Sequence, residues 1–94
     1  MKDQITIITI AKRKLGRRRI SVEWVKETIR NPEQIVEGHG GREVAQRRYK
    51  IRGKEYLLRV IYERRGNEYV IITAYLTSQI GRYWKGGREN EDRI

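Results

Sequence analysis

A chain of 94 residues can bury one hydrophobic core and not two, and without cysteine and with a single histidine it lacks both disulfide staples and the ligands of an ordinary zinc site. The 22 Lys and Arg residues outnumber 12 Asp and Glu, for a net charge of +10, and 15 of the 22 are arginine, whose guanidinium matches phosphate oxygens two at a time. That excess suits a polyanion such as nucleic acid; the competing explanations are the charge-rich composition of heat-adapted or GC-rich organisms and an acidic protein partner.

The apolar 37% is concentrated in short runs, which argues for a folded domain under a charged surface. No secretory segment or long apolar span is present, so a soluble, cytoplasmic protein without membrane contact is expected. Residues 4–10, QITIITI, alternate and predict a short strand at a sheet edge or one leading straight into a helix, with Thr9 as a candidate N-cap. Residues 10–18 are dense in Lys and Arg, with Ile10, Ala11 and Leu15 as the apolar positions of a short basic helix that tolerates Gly16. Ser21 then precedes a helix with Glu23 in its first turn and Val22, Val25 and Ile29 on one stripe, which must stop at Asn31-Pro32.

Residues 33–37 predict a short strand through Ile35 and Val36, followed by a flexible loop, Gly38-His39-Gly40-Gly41. Residues 42–52 alternate with Ala45, Arg47, Tyr49 and Ile51 on one side and Val44, Gln46, Arg48 and Lys50 on the other, until Gly53 turns the chain. Residues 54–76 are the densest apolar stretch and read as a β-hairpin closed at Arg64-Arg65-Gly66-Asn67 by a turn with a glycine bulge. In that register Leu58, Val60 and Tyr62 share a core face with Val70, Ile72 and Ala74. The other face carries Leu57, Arg59 and Ile61 beside Tyr69, Ile71, Thr73 and Tyr75, too apolar to stay bare. A plain two-residue loop would instead exchange the faces by one residue.

Beyond Leu76, Tyr83 and Trp84 sit between cations. The expectation is a single α+β domain over residues 1–85, with a short N-terminal strand, two helices and three or four antiparallel strands, helices on one face of the sheet, and a flexible tail over residues 86–94.

Ala11, Lys14, Leu15, Arg18, Ile20 and Ser21, then Val25, Ile29 and Asn31-Pro32-Glu33, then Leu58-Arg59-Val60 and Ile72-Thr73-Ala74-Tyr75 resemble an uncharacterised family of small bacterial and archaeal proteins of the DUF4258 type. The resemblance covers residues 5–85, with Ile10 and Lys14 standing where that family usually has histidine and arginine. The family is similar to the RelE/ParE superfamily of toxins and to BrnT. The resemblance implies a RelE-like fold, a toxin acting on RNA as an endoribonuclease, on the ribosome or free of it, and neutralisation by an acidic antitoxin. A noncatalytic nucleic-acid-binding domain, or one that homodimerises through the open sheet face, is the alternative.

RNA cleavage by the 2′-hydroxyl needs a base, an acid and cations against the charge gathering on phosphorus. Arg59 interrupts an apolar strand, so it either engages an anion or lays its stem along the sheet. Tyr75 shares its face and either positions a phosphate or closes the core. Arg82 and Lys85 around Tyr83 form a second catalytic candidate, favoured by the C-terminal functional groups of RelE-like toxins. Lys14, Arg17 and Arg18 on the basic helix, with Arg47 and Arg48 on the third strand, are candidate nucleic-acid contacts or a solvated face. His39, the only imidazole, reads as a passive loop residue, and Glu63 and Glu68 as cross-strand charge partners rather than a catalytic dyad. Neither a metal nor a cofactor is expected.

Overall fold

Two turns fold the β-rich half of the chain onto itself. Arg52 and Gly53, both at positive φ, join strands β3 (Glu43–Ile51) and β4 (Lys54–Arg65), and Gly66, at φ +61°, opens the turn from β4 into β5 (Glu68–Thr77). The computed structural model describes residues 4–86. Of the expected tail, residues 86–94, only Gly86 lies within them.

Ahead of these strands come β1 (Gln4–Ile7), helices α1 (Thr9–Arg17) and α2 (Val22–Arg30), β2 (Gln34–Glu37) and a single 3-10 turn, His39–Gly41; a short helix, α3 (Ile80–Tyr83), follows β5. The fold is α+β, with strand order β1-β5-β4-β3-β2. The four later strands are antiparallel, as their alternation predicts, but β1 adds a fifth strand parallel to β5, which makes the sheet mixed. The expected antiparallel sheet is corrected to that extent. No helix among the described residues is long and apolar enough to cross a membrane.

Ser21 caps α2 as expected, its hydroxyl accepting from the N–H groups of Glu23 at 3.0 Å and Trp24 at 3.3 Å. Thr9 is not a cap: it is the first helical residue of α1, and Ile8 precedes it with no side-chain bond. Helix α1 ends with Arg19 at φ +56°, the N–H of Ile20 reaching the Leu15 carbonyl at 2.9 Å and that of Arg19 reaching Gly16 at 3.1 Å. This is a Schellman stop made without glycine.

Ala11 and Leu15 from α1, and Val25, Thr28 and Ile29 from α2, are buried. Leu15, Val25 and Ile29 pack on a sheet face made by Ala45, Leu58, Val60, Tyr62, Ile71 and Ala74. Each large side chain so covered contributes roughly 1.5–3 kcal/mol of transfer free energy. Val22, expected on the buried stripe, is exposed, and Thr28 turns inward in its place by bonding the Trp24 carbonyl at 2.8 Å. Trp24 stacks on Tyr49 with ring centroids 4.1 Å apart, and Tyr49 donates to Glu27 Oε1 at 2.6 Å, which ties α2 to β3.

The hairpin is where the sequence reading needs most correction. Arg65 pairs with Glu68 across a two-residue turn, so Tyr62 faces Ile71, and a bulge at Ile72 then restores Val60 to Ala74 and Arg59 to Tyr75. Near the turn Tyr69 and Ile71 therefore belong to the helix side and Val70 to the other, opposite to the glycine-bulge register. Beyond the bulge the expected faces stand. The physical reason is burial: the shorter turn brings Tyr69 against Tyr62, edge to face at 5.2 Å, and leaves Ile71 fully covered.

Candidate functional site

Residues directly opposite in neighbouring strands project to the same face, and the registers put Gln34, Gln46, Arg59 and Tyr75 in one row across β2, β3, β4 and β5. This is the sheet face away from α1 and α2. Part of it is covered from within the chain, because Tyr83 of α3 and the Lys85 backbone lie over the row. Tyr83 packs edge-on to Tyr75 at 6.3 Å, the Tyr83 carbonyl accepts from Gln46 Nε2 at 3.4 Å, and Gln34 bonds the backbone of Lys85 at both N–H and C=O.

Arg59 occupies the centre. Its Nε donates to Gln46 Oε1 at 2.6 Å, one terminal nitrogen donates to the Tyr75 hydroxyl, and the guanidinium carbon sits 4.2 Å from the Tyr83 ring centroid. Among the described residues no carboxylate stands within ion-pair distance of it. A half-buried guanidinium that is held by neutral groups keeps its full positive field, which is the condition for drawing in an anion.

A cavity of about 430 Å³ opens beside Arg59 and Tyr75. Its apolar floor is Val44 and Ile61, and its rim carries Glu37, His39 and Arg42. The loop that brings these three in is tightly closed: the Gly38 N–H reaches the Arg42 carbonyl at 2.8 Å and the Arg42 N–H reaches that of His39 at 3.2 Å. A β-carbon on Gly38 would meet Val44 at 3.1 Å, and Gly40 and Gly41 turn through positive φ, so the glycines are what allow the loop to lie against the sheet.

The two cleft arginines differ in charge balance. Arg42 Nε is paired with Glu63 Oε2 at 2.9 Å, and Glu63 also takes a bond from Arg65 at 3.0 Å. The hydrogen bond from Arg42, then that from Arg65, holds the Glu63 carboxyl below its ordinary value. Glu63 thus pairs with arginines on its own and a neighbouring segment, and no dyad with Glu68 is formed. Of the two, Arg59 is the one with no carboxylate partner among the described residues.

The other sequence candidates fall in three places. Tyr83 lies on Arg59, while Arg82, bonded to Gln79 Oε1 at 3.2 Å, and Lys85 are exposed on the same C-terminal segment. Arg48 lies at the edge of this face, its guanidinium 4.7 Å from the Trp84 ring and 3.0 Å from Glu33. Arg47 points to the helix side, donating to the Asn31 carbonyl at 2.8 Å, and so does not share a surface with Arg48. Arg18 is tied to β5 through Thr73 at 3.1 Å and the Ala74 carbonyl at 2.8 Å. Lys14 and Arg17 remain on α1, where Arg17 with Ile10 and Arg13 lines a separate shallow depression.

Reading the sequence missed Gln46, Arg42 and Glu37, and placed His39 in a passive loop. Gln46 was within reach: counting back from the two-residue turn at Arg52-Gly53 pairs Ile51 with Lys54 and, in the same register, Gln46 with Arg59. The loop residues had no such signal of their own, because their place beside the cavity follows only when the β2–β3 and β3–β4 registers are combined, which sets Val44 opposite Ile61 two residues along from Gln46 and Arg59. Among the described residues no three His, Cys, Asp or Glu side chains are grouped so as to hold a metal ion.

A family model described as a domain of unknown function, DUF4258, matches residues 11–76, which span the row from Gln34 to Tyr75 and the glycine loop and stop short of α3. No curated protein and no solved structure matches the chain.

Proposed function

We propose, from the premise that the chain belongs to the DUF4258 family, that it is an RNA-directed toxin which cleaves the phosphodiester backbone without a metal ion. The observation that carries this reading is Arg59, a guanidinium without a carboxylate partner among the described residues, fixed by Gln46, Tyr75 and Tyr83 at the wall of a cavity shared with Glu37, His39 and Arg42.

In the reaction the 2′-hydroxyl oxygen attacks phosphorus, the bond from phosphorus to O5′ breaks, and a 2′,3′-cyclic phosphate and a 5′-hydroxyl result. Glu37 and His39, one on each side of Gly38, supply the base that takes the 2′-proton and the acid that gives one to O5′. Arg59 and Arg42 oppose the charge that develops on the phosphoryl oxygens. The Tyr75 hydroxyl accepts from Arg59, so its own proton is free to donate to the same oxygens. Tyr83 acts through Arg59 by stacking on it, and Arg82 and Lys85 flank the cleft where neighbouring phosphates of the strand would run. Arg48 lies at the edge of the same face, whereas Lys14 and Arg17, on α1 at the other face of the sheet, are left out of this reading.

The RelE/ParE and BrnT resemblance supports the toxin role, mRNA on the ribosome as the target and a cytoplasmic setting. The net charge of +10 supports control by an acidic antitoxin laid over the surface. Tightly induced expression in a bacterial host tests the reading, comparing wild type with Arg59→Ala and with Arg82→Ala/Lys85→Ala at matched soluble levels. Wild type should arrest growth, Arg59→Ala should relieve it fully, and the double variant should relieve it in part. Normal growth with abundant folded wild-type protein, or arrest that persists in Arg59→Ala, overturns it.

A further inference from the structure

Gln46 is a fully buried polar side chain on β3, an inner strand of the sheet, and both ends of its amide are engaged. Its Nε2 donates to Gln34 Oε1 at 2.9 Å and to the Tyr83 carbonyl at 3.4 Å. With the amino group committed to two acceptors, the oxygen must face the other way, and there it accepts from Arg59 Nε at 2.6 Å. A reversed amide would set its hydrogens against the guanidinium. Gln34 is oriented in turn by Lys85, whose carbonyl accepts from Nε2 at 2.6 Å and whose N–H donates to Oε1 at 2.9 Å.

We infer that Gln46 is the positioning residue of Arg59, and that the clasp between Gln34 and the Lys85 backbone makes docking of the C-terminal segment the event that sets the Arg59 guanidinium. Three groups restrain Arg59, namely Gln46, Tyr75 and Tyr83. Two of the three depend on this segment: Tyr83 belongs to it, and Gln46 is aimed by its backbone through Gln34 and the Tyr83 carbonyl. Lifting residues 79–85 off the sheet therefore releases Arg59 on two sides at once, while Tyr75 and the cavity stay in place. This deepens the RNA reading and rests on it for its functional meaning, as a regulation of the same site.

The test uses the full chain and the variants Gln34→Ala, Gln46→Leu and Gln46→Glu. The readouts are solvent exchange of the Arg59 Nε–H by NMR, affinity for a 2′-deoxy oligonucleotide that cannot be cleaved, and the thermal midpoint. Gln34 sits on an edge strand, so Gln34→Ala should keep a folded domain with a midpoint near wild type even if Gln46→Leu does not fold. In Gln34→Ala the Arg59 Nε–H should exchange roughly tenfold faster and oligonucleotide affinity should fall roughly tenfold, as Gln46, no longer aimed by Gln34, loosens its charge-assisted bond from Arg59. Gln46→Glu should instead keep the Nε–H protected and lose the oligonucleotide, because a carboxylate orients the guanidinium but cancels its charge.

Unchanged exchange and affinity in Gln34→Ala overturn the relay, as does full oligonucleotide affinity in Gln46→Glu. If the wild type binds no nucleic acid, the RNA reading falls, and Arg59 Nε–H exchange in Gln34→Ala still decides whether the relay exists.

Discussion

The Arg59 guanidinium lies over the Tyr83 ring, its carbon 4.2 Å from the centroid, with the Tyr83 ring itself edge-on to Tyr75. The contact joins the middle of β4 to a segment beyond β5. Partly desolvated stacking of this kind is worth about 1 kcal/mol. Tyr83→Leu, which keeps apolar cover and removes the ring, should cost about that much stability and roughly tenfold in RNA cleavage. Tyr83→Phe should stay near wild type in both. Thermal unfolding and a cleavage time course measure the two effects together.

Arg59 uses its shape as well as its charge. Nε and a terminal nitrogen bond Gln46 and Tyr75 from two corners of one plane, and the guanidinium carbon lies over the Tyr83 ring. A lysine ammonium retains the charge but cannot make those bonds at once or stack in that way. Arg59→Lys should therefore lose most of the activity lost by Arg59→Ala, while remaining folded. Activity near wild type in Arg59→Lys would mean that a point charge at this position suffices.

Two arginines sit where the backbone favours other residues. Arg19 closes α1 at φ +56° and Arg52 opens the β3–β4 turn at φ +52°. A β-carbon at positive φ costs on the order of 1 kcal/mol, and neither residue lines the cleft. Arg19→Gly and Arg52→Asn should each raise stability by about 0.5–1 kcal/mol, read as a higher denaturation midpoint with unchanged RNA cleavage.

How far the sequence discloses this molecule depends on whether the signal is local. Ser21 and Asn31-Pro32 bound α2 because capping and the proline restriction act within a few residues. The alternation of residues 42–52 sorts β3 onto its two faces for the same reason. The register of the central hairpin is not local: it is decided by the burial of Tyr69 and Ile71 against the helices, and the bulge at Ile72 that reconciles this with Arg59 opposite Tyr75 leaves no mark in the sequence. Arg59 and Tyr75 were visible as polar groups on an apolar face. His39 was not, since glycines on both sides give no hint of where the loop lands, and the seat of Tyr83 depends on side chains from β2 and β3.

Stability should fall on both flanks of neutrality, for opposite reasons. Burial raises the Glu33 carboxyl, but the backbone N–H of Arg48 at 2.9 Å and its guanidinium at 3.0 Å outweigh that and hold it lowered, as two arginines do for Glu63. The unfolded carboxyls, near 4.5, bind protons first, so this contribution is complete above that value and is lost as the pH falls through the lower folded values. Tyr62 and Tyr49 are raised by burial and by their bonds to Glu43 and Glu27, so their contribution is complete below 10.0 and is lost as the pH climbs above it. Thermal midpoints across pH should show both limbs, with Glu33→Gln lowering the plateau and flattening the acid one.

The most direct test of the central claim is to add purified protein to a bacterial translation extract containing a defined mRNA and determine the chemistry of any new RNA ends. The wild type should generate fragments ending in 2′,3′-cyclic phosphate with 5′-hydroxyl partners, and Arg59→Ala, equally folded, should generate none. Intact mRNA with the wild type, or the same fragments from Arg59→Ala, would contradict an RNA-cleaving site built on Arg59.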